Sequence, residues 1–307
     1  MRDRVKSVMP YLKLYFRMAR PNQILLIAVV FSWGILMALV RGSVWSSLSY
    51  LFGLGAAILI SISIHFVNEY ADYETDMLTE RTPYSGGSGA LQDTHLDRKL
   101  AILGAILVLI LGFALALLGY FLGVLPLQVL YLLGVATLFG WGYSLEPLKF
   151  AWRGWGELDN ALLGGWLLPV YGYTVINHKA DAFVMAAAAP FAMFAFVNLL
   201  ATHWADREAD QSVGKITLVT KLSIPRLRIL YILMTLSAYA WVYWYSQYPP
   251  LVQVSSFIVV PVSVWGIVSF TRRHNPAPSV FAMVAFLLVQ LISWGYLYVS
   301  GVNFHSI

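Results

Sequence analysis

Long apolar runs alternate with short polar breaks along this chain, at the spacing of membrane crossings. A helix needs about 20 mostly apolar residues to span a bilayer. Nine runs meet that need, at roughly 23–40, 49–67, 99–121, 125–143, 158–177, 182–202, 227–246, 251–270 and 279–300. The runs are unbroken rather than alternating, so they predict helices and not the strands of a barrel. The expected fold class is an all-α polytopic membrane protein with about nine transmembrane helices. Ahead of the first run, residues 1–22 interleave Arg2, Arg4, Lys6, Lys13, Arg17 and Arg20 with apolar positions. That pattern predicts an amphipathic interfacial helix and no cleavable signal peptide. Residues 23–307 are expected to form a single transmembrane domain.

Composition agrees with a lipid solvent. The 307 residues are 59% hydrophobic and only 11% charged, against about 25% charged in soluble domains. Cysteine is absent, which removes disulfides, thiolate chemistry and Cys-ligated clusters. The net charge of +5 does not point to nucleic acid, because the basic residues sit in short loops beside apolar spans. Arg41 and Lys179 fall on one side of the predicted spans, and the other 18 of the 20 Lys and Arg fall on the opposite side. By the positive-inside rule, the N-terminus and the basic loops are cytoplasmic. The surroundings expected are the cell membrane of a prokaryote.

Two long loops on that basic side, about 68–98 and 203–226, follow the second and sixth spans. Their four-helix offset hints at an internal duplication. Eight of the 15 acidic residues fall where these loops begin: Glu69, Asp72, Glu74, Asp76 and Glu80, then Asp206, Glu208 and Asp210. Residues four apart share a helix face. Asn68, Asp72 and Asp76 therefore form one oxygen-bearing stripe, and Asp206 with Asp210 forms another. Carboxylates near a bilayer are costly and need positive partners. Mg²⁺ fits, since it takes one or two carboxylates, keeps waters and bridges to substrate phosphate. Two facing stripes would hold two Mg²⁺ ions and, through them, a diphosphate. The plainer alternative is a pair of solvated helix ends with surface salt bridges. A cation-coupled transporter is a third, although such sites usually lie at the midplane in broken helices.

The flanking loops suit an anion. The first motif runs into Arg81-Thr-Pro-Tyr-Ser-Gly-Gly-Ser-Gly, and the second into Gly214-Lys215-Ile-Thr217-Leu218. Glycines let backbone N–H groups approach phosphate, and Arg81, Lys149 and Lys215 are candidates for direct diphosphate contacts. His65 and His203 precede the motifs by three residues, and packing roles suit them best. Arg20, beside Pro21, reads as a topology anchor.

With these residues in view, the chain resembles the UbiA superfamily of intramembrane prenyltransferases. Asn68, Asp72 and Asp76 match its first motif, with Glu69 where Asp is usual; Asp206 and Asp210 match its second. Among its branches, the closest resemblance is to the MenA-like 1,4-dihydroxy-2-naphthoate polyprenyltransferases. Gly214-Lys215-Ile-Thr217-Leu218 and the segment from Tyr143-Ser-Leu-Glu-Pro147-Leu-Lys149 to Arg153-Gly-Trp-Gly-Glu157 carry it. The Arg-Pro-x-Pro-Ser-Gly loop of the 4-hydroxybenzoate, haem and chlorophyll branches is absent. The resemblance implies a helical bundle with a central cavity open to the cytoplasmic side. It implies Mg²⁺-dependent transfer of a polyprenyl group from its diphosphate to an aromatic acceptor, in menaquinone biosynthesis or for another quinone precursor or lipid alcohol. Asp72, Asp76, Asp206, Asp210 and Tyr143 would be catalytic; Asn68 would join the four aspartates at the metals. Asn68, Arg81, Lys149 and Lys215 would meet the diphosphate. No nucleic acid and no obligate protein partner are expected.

Overall fold

The computed structural model describes residues 2–77 and 87–301, with side chains from residue 9 onward. Arg81 and Glu80 lie outside the described residues. A helix, α1 (Arg2–Met18), precedes the longer helical segments: α2 (Pro21–Val40), α3 (Ser47–Ala71), α4 (Lys99–Phe121), α5 (Leu127–Ser144), α6 (156–177), α7 (Ala182–Ala205), α8 (Ile224–Trp244), α9 (Pro250–Ser269) and α10 (Ala277–Val299). Eight of these are long and apolar enough to cross a membrane. The run α6 adds a further helical segment at the predicted fifth span. It is divided into Gly156–Asn160, a π-helical stretch Ala161–Leu167, and Leu168–Asn177. Pro169 at the start of the last piece removes a backbone donor there, which accounts for part of the irregularity.

Helix α1 has a buried face and an exposed one among the residues whose side chains are described. Leu14 and Met18 are fully buried, while Met9, Leu12 and Phe16 project outward. The inner face packs on Phe66 and Val67 of α3 and on Ala101 and Ala105 of α4.

Lipid gives no hydrophobic drive for helices to associate, so close backbone approach and side-chain bonding hold the bundle together. Helices α2 and α6 show the first device. A Cβ on Gly34 would strike the Pro169 carbonyl, and one on Gly172 would strike the Phe31 carbonyl. Buried hydroxyls supply the second: Ser63 Oγ donates to the Ala105 carbonyl (2.9 Å), and Tyr171 Oη donates to the Gly53 carbonyl (2.8 Å). Helix α3 packs on α4 and α5, and α7 packs on α6, α8 and α10. The ends of α3 and α7 carry the two acidic motifs.

Candidate active site

Both motifs begin where a long helix stops. Asp72 caps α3 with φ −91° and ψ 7°, and Asp206 caps α7 with φ −94° and ψ 2°. A short helix then resumes in each case, Tyr73–Asp76 and Arg207–Ser212. The hydrogen bonds Asp72 N→Asn68 O (2.8 Å), Asp76 N→Asp72 O (2.8 Å) and Asp210 N→Asp206 O (2.9 Å) carry the four-residue register through each bend. The stripes expected from spacing therefore survive the helix breaks. The matched dihedrals give the two halves the same local construction.

Lys215 joins the motifs. Its Nζ lies 3.3 Å from Asp210 Oδ1, and its side chain is 14% exposed. Burial opposes its charge, but Asp72, Asp210 and Tyr143 outweigh burial and raise its pKa. Asp72 lies within electrostatic reach of both Lys215 and Asp210, so the two helix ends face a shared space. Burial first, and then Glu69 and Asp210, push the Asp72 pKa up against Lys215 and Arg20. Burial, followed by Asp72 and Glu69, pushes Asp76 from 3.8 to about 7. Among the described residues, acidic groups outnumber the cations that act on Asp72 and Asp76, which are Arg20 and Lys215.

Glu69 is not one of the groups that await a cation. It is 1% exposed, and Arg20 donates to its Oε1 from Nη2 at 2.6 Å and from Nε at 3.2 Å. Ser88 adds its backbone N–H (2.9 Å to Oε1) and its hydroxyl (2.7 Å to Oε2). Arg17 bonds the Ser88 carbonyl (2.8 Å) and pairs with Asp93 (2.7 Å). Arg20 thus anchors an internal carboxylate, and two arginines from the α1 region hold Ser88, at the end of the glycine-rich loop. That loop returns beside Asp76: Gly87 has φ +66°, and a Cβ there would collide with the Asp76 carboxylate. Only glycine satisfies both demands.

A second lock holds the other loop. Glu157, fully buried, accepts from the Leu218 N–H (2.9 Å) and faces His203 Nδ1 at 3.0 Å. Gly154 N–H donates to the Ile216 carbonyl at 2.7 Å. The segment after α5 is thereby tied to the Gly214–Leu218 turn, where Gly214 has φ +73°. His65 is a packing residue, with Nδ1 3.0 Å from the Ala19 carbonyl.

The remaining sequence candidates fall in different places. Asn68 Oδ1 accepts from Ser144 Oγ at 2.7 Å and keeps a second lone pair. Tyr143 stands within reach of Lys215, Asp72 and Asp159. Lys149 lies 3.8 Å from Glu146 and 4.5 Å over the Trp152 ring. Its described partners are thus at the loop surface rather than among the aspartates. The loops' two internal locks and Asp159 were missed by sequence reasoning. Asp159 did carry a signal, because an ionisable residue inside an apolar run is a functional candidate by default.

Among the described residues, no three His, Asp or Glu side chains converge on one metal position. Asp72 Oδ1 and Asp210 Oδ2 are nevertheless buried with no protein partner. This donor set fits Mg²⁺, which uses one or two carboxylates and completes its shell with water and phosphate.

Among the described residues, the ends of α3 and α7, with Lys215 between them, form a buried acidic site. The chain belongs to the UbiA prenyltransferase family, whose model matches residues 25–291, and it is a multi-pass membrane enzyme of that prenyl-transferring class. No functionally curated protein matches the sequence significantly. Several solved structures share the fold. A UbiA homologue from Archaeoglobus fulgidus bound to DMAPP and Mg²⁺ is 17% identical, with TM-score 0.68 over 92% of this chain and 99% of that one. A digeranylgeranylglyceryl phosphate synthase is 15% identical, with TM-score 0.65 over 95% and 98%. The apo UbiA homologue from Aeropyrum pernix is 15% identical, with TM-score 0.65 over 90% and 97%.

Proposed function

We propose that this chain transfers a polyprenyl group from its diphosphate to a hydroxylated aromatic acceptor, foremost 1,4-dihydroxy-2-naphthoate, at the cytoplasmic face of a prokaryotic cell membrane. The N-terminus lies on that face, and residues 23–307 act as one domain. The observation that carries the reading is the pairing of two matched acidic helix ends across Lys215, with Asp72 Oδ1 and Asp210 Oδ2 buried and unpartnered. The Archaeoglobus fulgidus homologue bound to DMAPP and Mg²⁺, and the same protein bound to GPP and Mg²⁺, support the donor class and the cation. The acceptor rests on the Gly214–Leu218 and Tyr143–Glu157 segments.

In this reading, Asp72 and Asp76 with Asn68 hold one Mg²⁺, and Asp206 with Asp210 holds a second. When bound, these ions neutralise the charge that gathers on the diphosphate as the allylic C–O bond breaks. Lys215 binds a diphosphate oxygen and preserves its charge because three acidic groups surround it. Arg81, outside the described residues, is a candidate diphosphate contact, and Lys149 attracts the anion from the rim. The C–O electron pair leaves with the diphosphate. A ring carbon of the acceptor bonds to the allylic carbon, and the ring proton is released. Tyr143, beside Lys215, presents its ring face to the positive carbon.

The test uses purified protein in detergent with a polyprenyl diphosphate, Mg²⁺, and separate naphthoate, 4-hydroxybenzoate and lipid-alcohol acceptors. Diphosphate release with the naphthoate, abolished by EDTA, is the expected result. Asp72→Ala and Asp206→Ala should each lose most activity while still inserting. An active Asp206→Ala enzyme would exclude the two-metal scheme, and selective use of a lipid alcohol would reassign the acceptor.

A further inference from the structure

The end of α7 carries a second constellation, built around the residue between Asp206 and Glu208. Arg207 opens the short helix that bears Asp210. Its guanidinium carbon lies 5.0 Å from the centre of the Trp204 ring. His274, in the turn between α9 and α10, stacks on the same indole, with centroids 5.9 Å apart and 20° between the planes. That turn also carries Arg272 and Arg273, both exposed. It is fixed from α8, where Arg228 Nε donates to the Thr271 hydroxyl at 2.5 Å. Three helix ends thus bring four arginines and a histidine to one corner of the bundle.

Among the described residues, no carboxylate pairs with Arg207, Arg228, Arg272 or Arg273. Donors are left over as well. Trp204 is 6% exposed and its Nε1 has no hydrogen-bond partner; Arg207 Nε is likewise buried and unpartnered. The positive-inside rule accounts for arginines on this side of the chain. It does not account for a guanidinium seated against an indole without a counter-charge. Arg272, Arg273 and His274 are exposed and Arg207 is half-buried, so the corner presents charged donors to a ligand from outside. Four-residue spacing puts Asp206 and Asp210 on one helix face, and Arg207 lies off it.

Arginine forks match phosphate oxygens in pairs. Lipid is the source that fits the surroundings. Trp265 and Phe281 stack at 6.1 Å and 27°, about one turn inside the ends of α9 and α10, and both are exposed on the apolar surface. They offer acyl chains a surface just below the basic turn. Basic pockets between helices at this membrane depth suit anionic headgroups. We infer that the corner binds one anionic phospholipid, with Arg207 and the α9–α10 turn holding its phosphate and its chains lying on Trp265 and Phe281. The bound phosphate ties Arg207 to the turn and so steadies the short helix that positions Asp210. This binding does not depend on which acceptor the protein uses.

The experiment measures lipid binding to the purified full-length protein in detergent by native mass spectrometry, with thermal unfolding alongside. The probes are dioleoylphosphatidylglycerol, dioleoylglycerol, which lacks the phosphate, and inorganic phosphate. One phosphatidylglycerol should bind about ten-fold or more tighter than dioleoylglycerol, raise Tm, and resist displacement by millimolar phosphate. Arg272→Gln/Arg273→Gln, at exposed positions, should weaken it about 25-fold, at about five-fold for each cation near the membrane surface. Arg207→Gln should weaken it about ten-fold. Lys99→Gln, which removes an exposed cation at the start of α4, should change binding by less than about two-fold. The lipid-free Tm shows whether each variant is folded, and the turn variant decides the matter if Arg207→Gln is not. Equal binding of dioleoylglycerol would overturn the inference. Displacement by inorganic phosphate would also overturn it, since the ligand would then be a free anion. Equal weakening in Lys99→Gln, or unchanged binding in a folded Arg207→Gln, would reduce the effect to diffuse surface charge and refute the site.

Discussion

The Arg20–Glu69 pair offers the sharpest energetic test of how the site is assembled. Arg20→Met removes a guanidinium that approaches Glu69 at 2.6 Å and 3.2 Å. Glu69 is 1% exposed, so water does not replace the lost partner. Breaking a buried pair from one side typically costs 3–5 kcal/mol, because the remaining charge is stranded. Ser88 still donates twice to the stranded carboxylate, and Arg20 is itself 24% exposed. Both facts move the estimate to the low end, about 3 kcal/mol. The double variant Arg20→Met/Glu69→Gln removes both charges and should cost only about 1 kcal/mol, as neutral replacements of buried pairs often do. The double variant should thus recover about 2 kcal/mol relative to Arg20→Met, and the cost of Glu69→Gln alone completes the cycle that gives the coupling energy. Unfolding in a fixed detergent, followed by near-ultraviolet circular dichroism, measures all four proteins. Because Ser88 still holds Glu69 in the single variant, Gly87 should stay against Asp76 and activity should fall no further than the stability loss explains. A cost below about 1 kcal/mol, the range of exposed pairs, with no recovery in the double variant, would refute the lock.

Three further outcomes test the chemistry. Lys215→Met should lower kcat by about 100- to 1,000-fold, the usual cost of losing one preorganised charge-stabilising donor, while Mg²⁺ still protects against heat; loss of both together would mean that Lys215 is needed for folding. Glu157→Gln should speed amide exchange at Leu218 by about ten-fold, since a charged acceptor becomes a neutral one; unchanged exchange would place the loop's anchor elsewhere. Asp76 rises from 3.8 to about 7 on folding without metal. The folded protein then holds a proton that the unfolded chain has lost, so metal-free stability falls as pH rises between those values. Mg²⁺ needs the ionised carboxylate, so its stabilising shift in Tm should grow from about pH 6 to about pH 8 and flatten in Asp76→Asn. A shift independent of pH in the parent protein would contradict this.

The spans were readable because lipid enforces one rule along each of them: about 20 apolar residues with internally bonded backbone. Helix α6 obeys the composition, but its π-helical turn, with Gly164, Gly165 and Pro169 nearby, is a local backbone outcome that hydropathy does not encode. The motifs were readable because period and chemistry coincide at Asn68, Asp72 and Asp76. Partners distant in sequence were not. Arg20 and Glu69 are 49 positions apart, and Glu157 and Leu218 are 61. Their pairing depends on how helices pack, which the spacing within either segment does not specify. Lys149 shows the converse. Its charge and position in the chain suit an anion site, yet Glu146 and Trp152 are nearer to it.

The two locks explain why acidic helix ends persist where lipid penalises them. Asp72 and Asp206 stop their helices with nearly the same dihedrals, so each following carboxylate is set by backbone hydrogen bonds rather than by side-chain freedom. Glu69 and Glu157 then absorb the nearby Arg20 and His203. With those partners engaged elsewhere, Arg20 is not free to quench the aspartates by direct contact. Among the described residues, Lys215 is a cation between the motifs, and it meets Asp210 through one oxygen. A lysine can yield an oxygen to an arriving metal or phosphate more readily than a bidentate guanidinium can. The placement of arginine in the locks and lysine at the centre is consistent with Asp72 Oδ1 and Asp210 Oδ2 having no protein partner, which is the electrostatic condition that the proposed prenyl transfer requires.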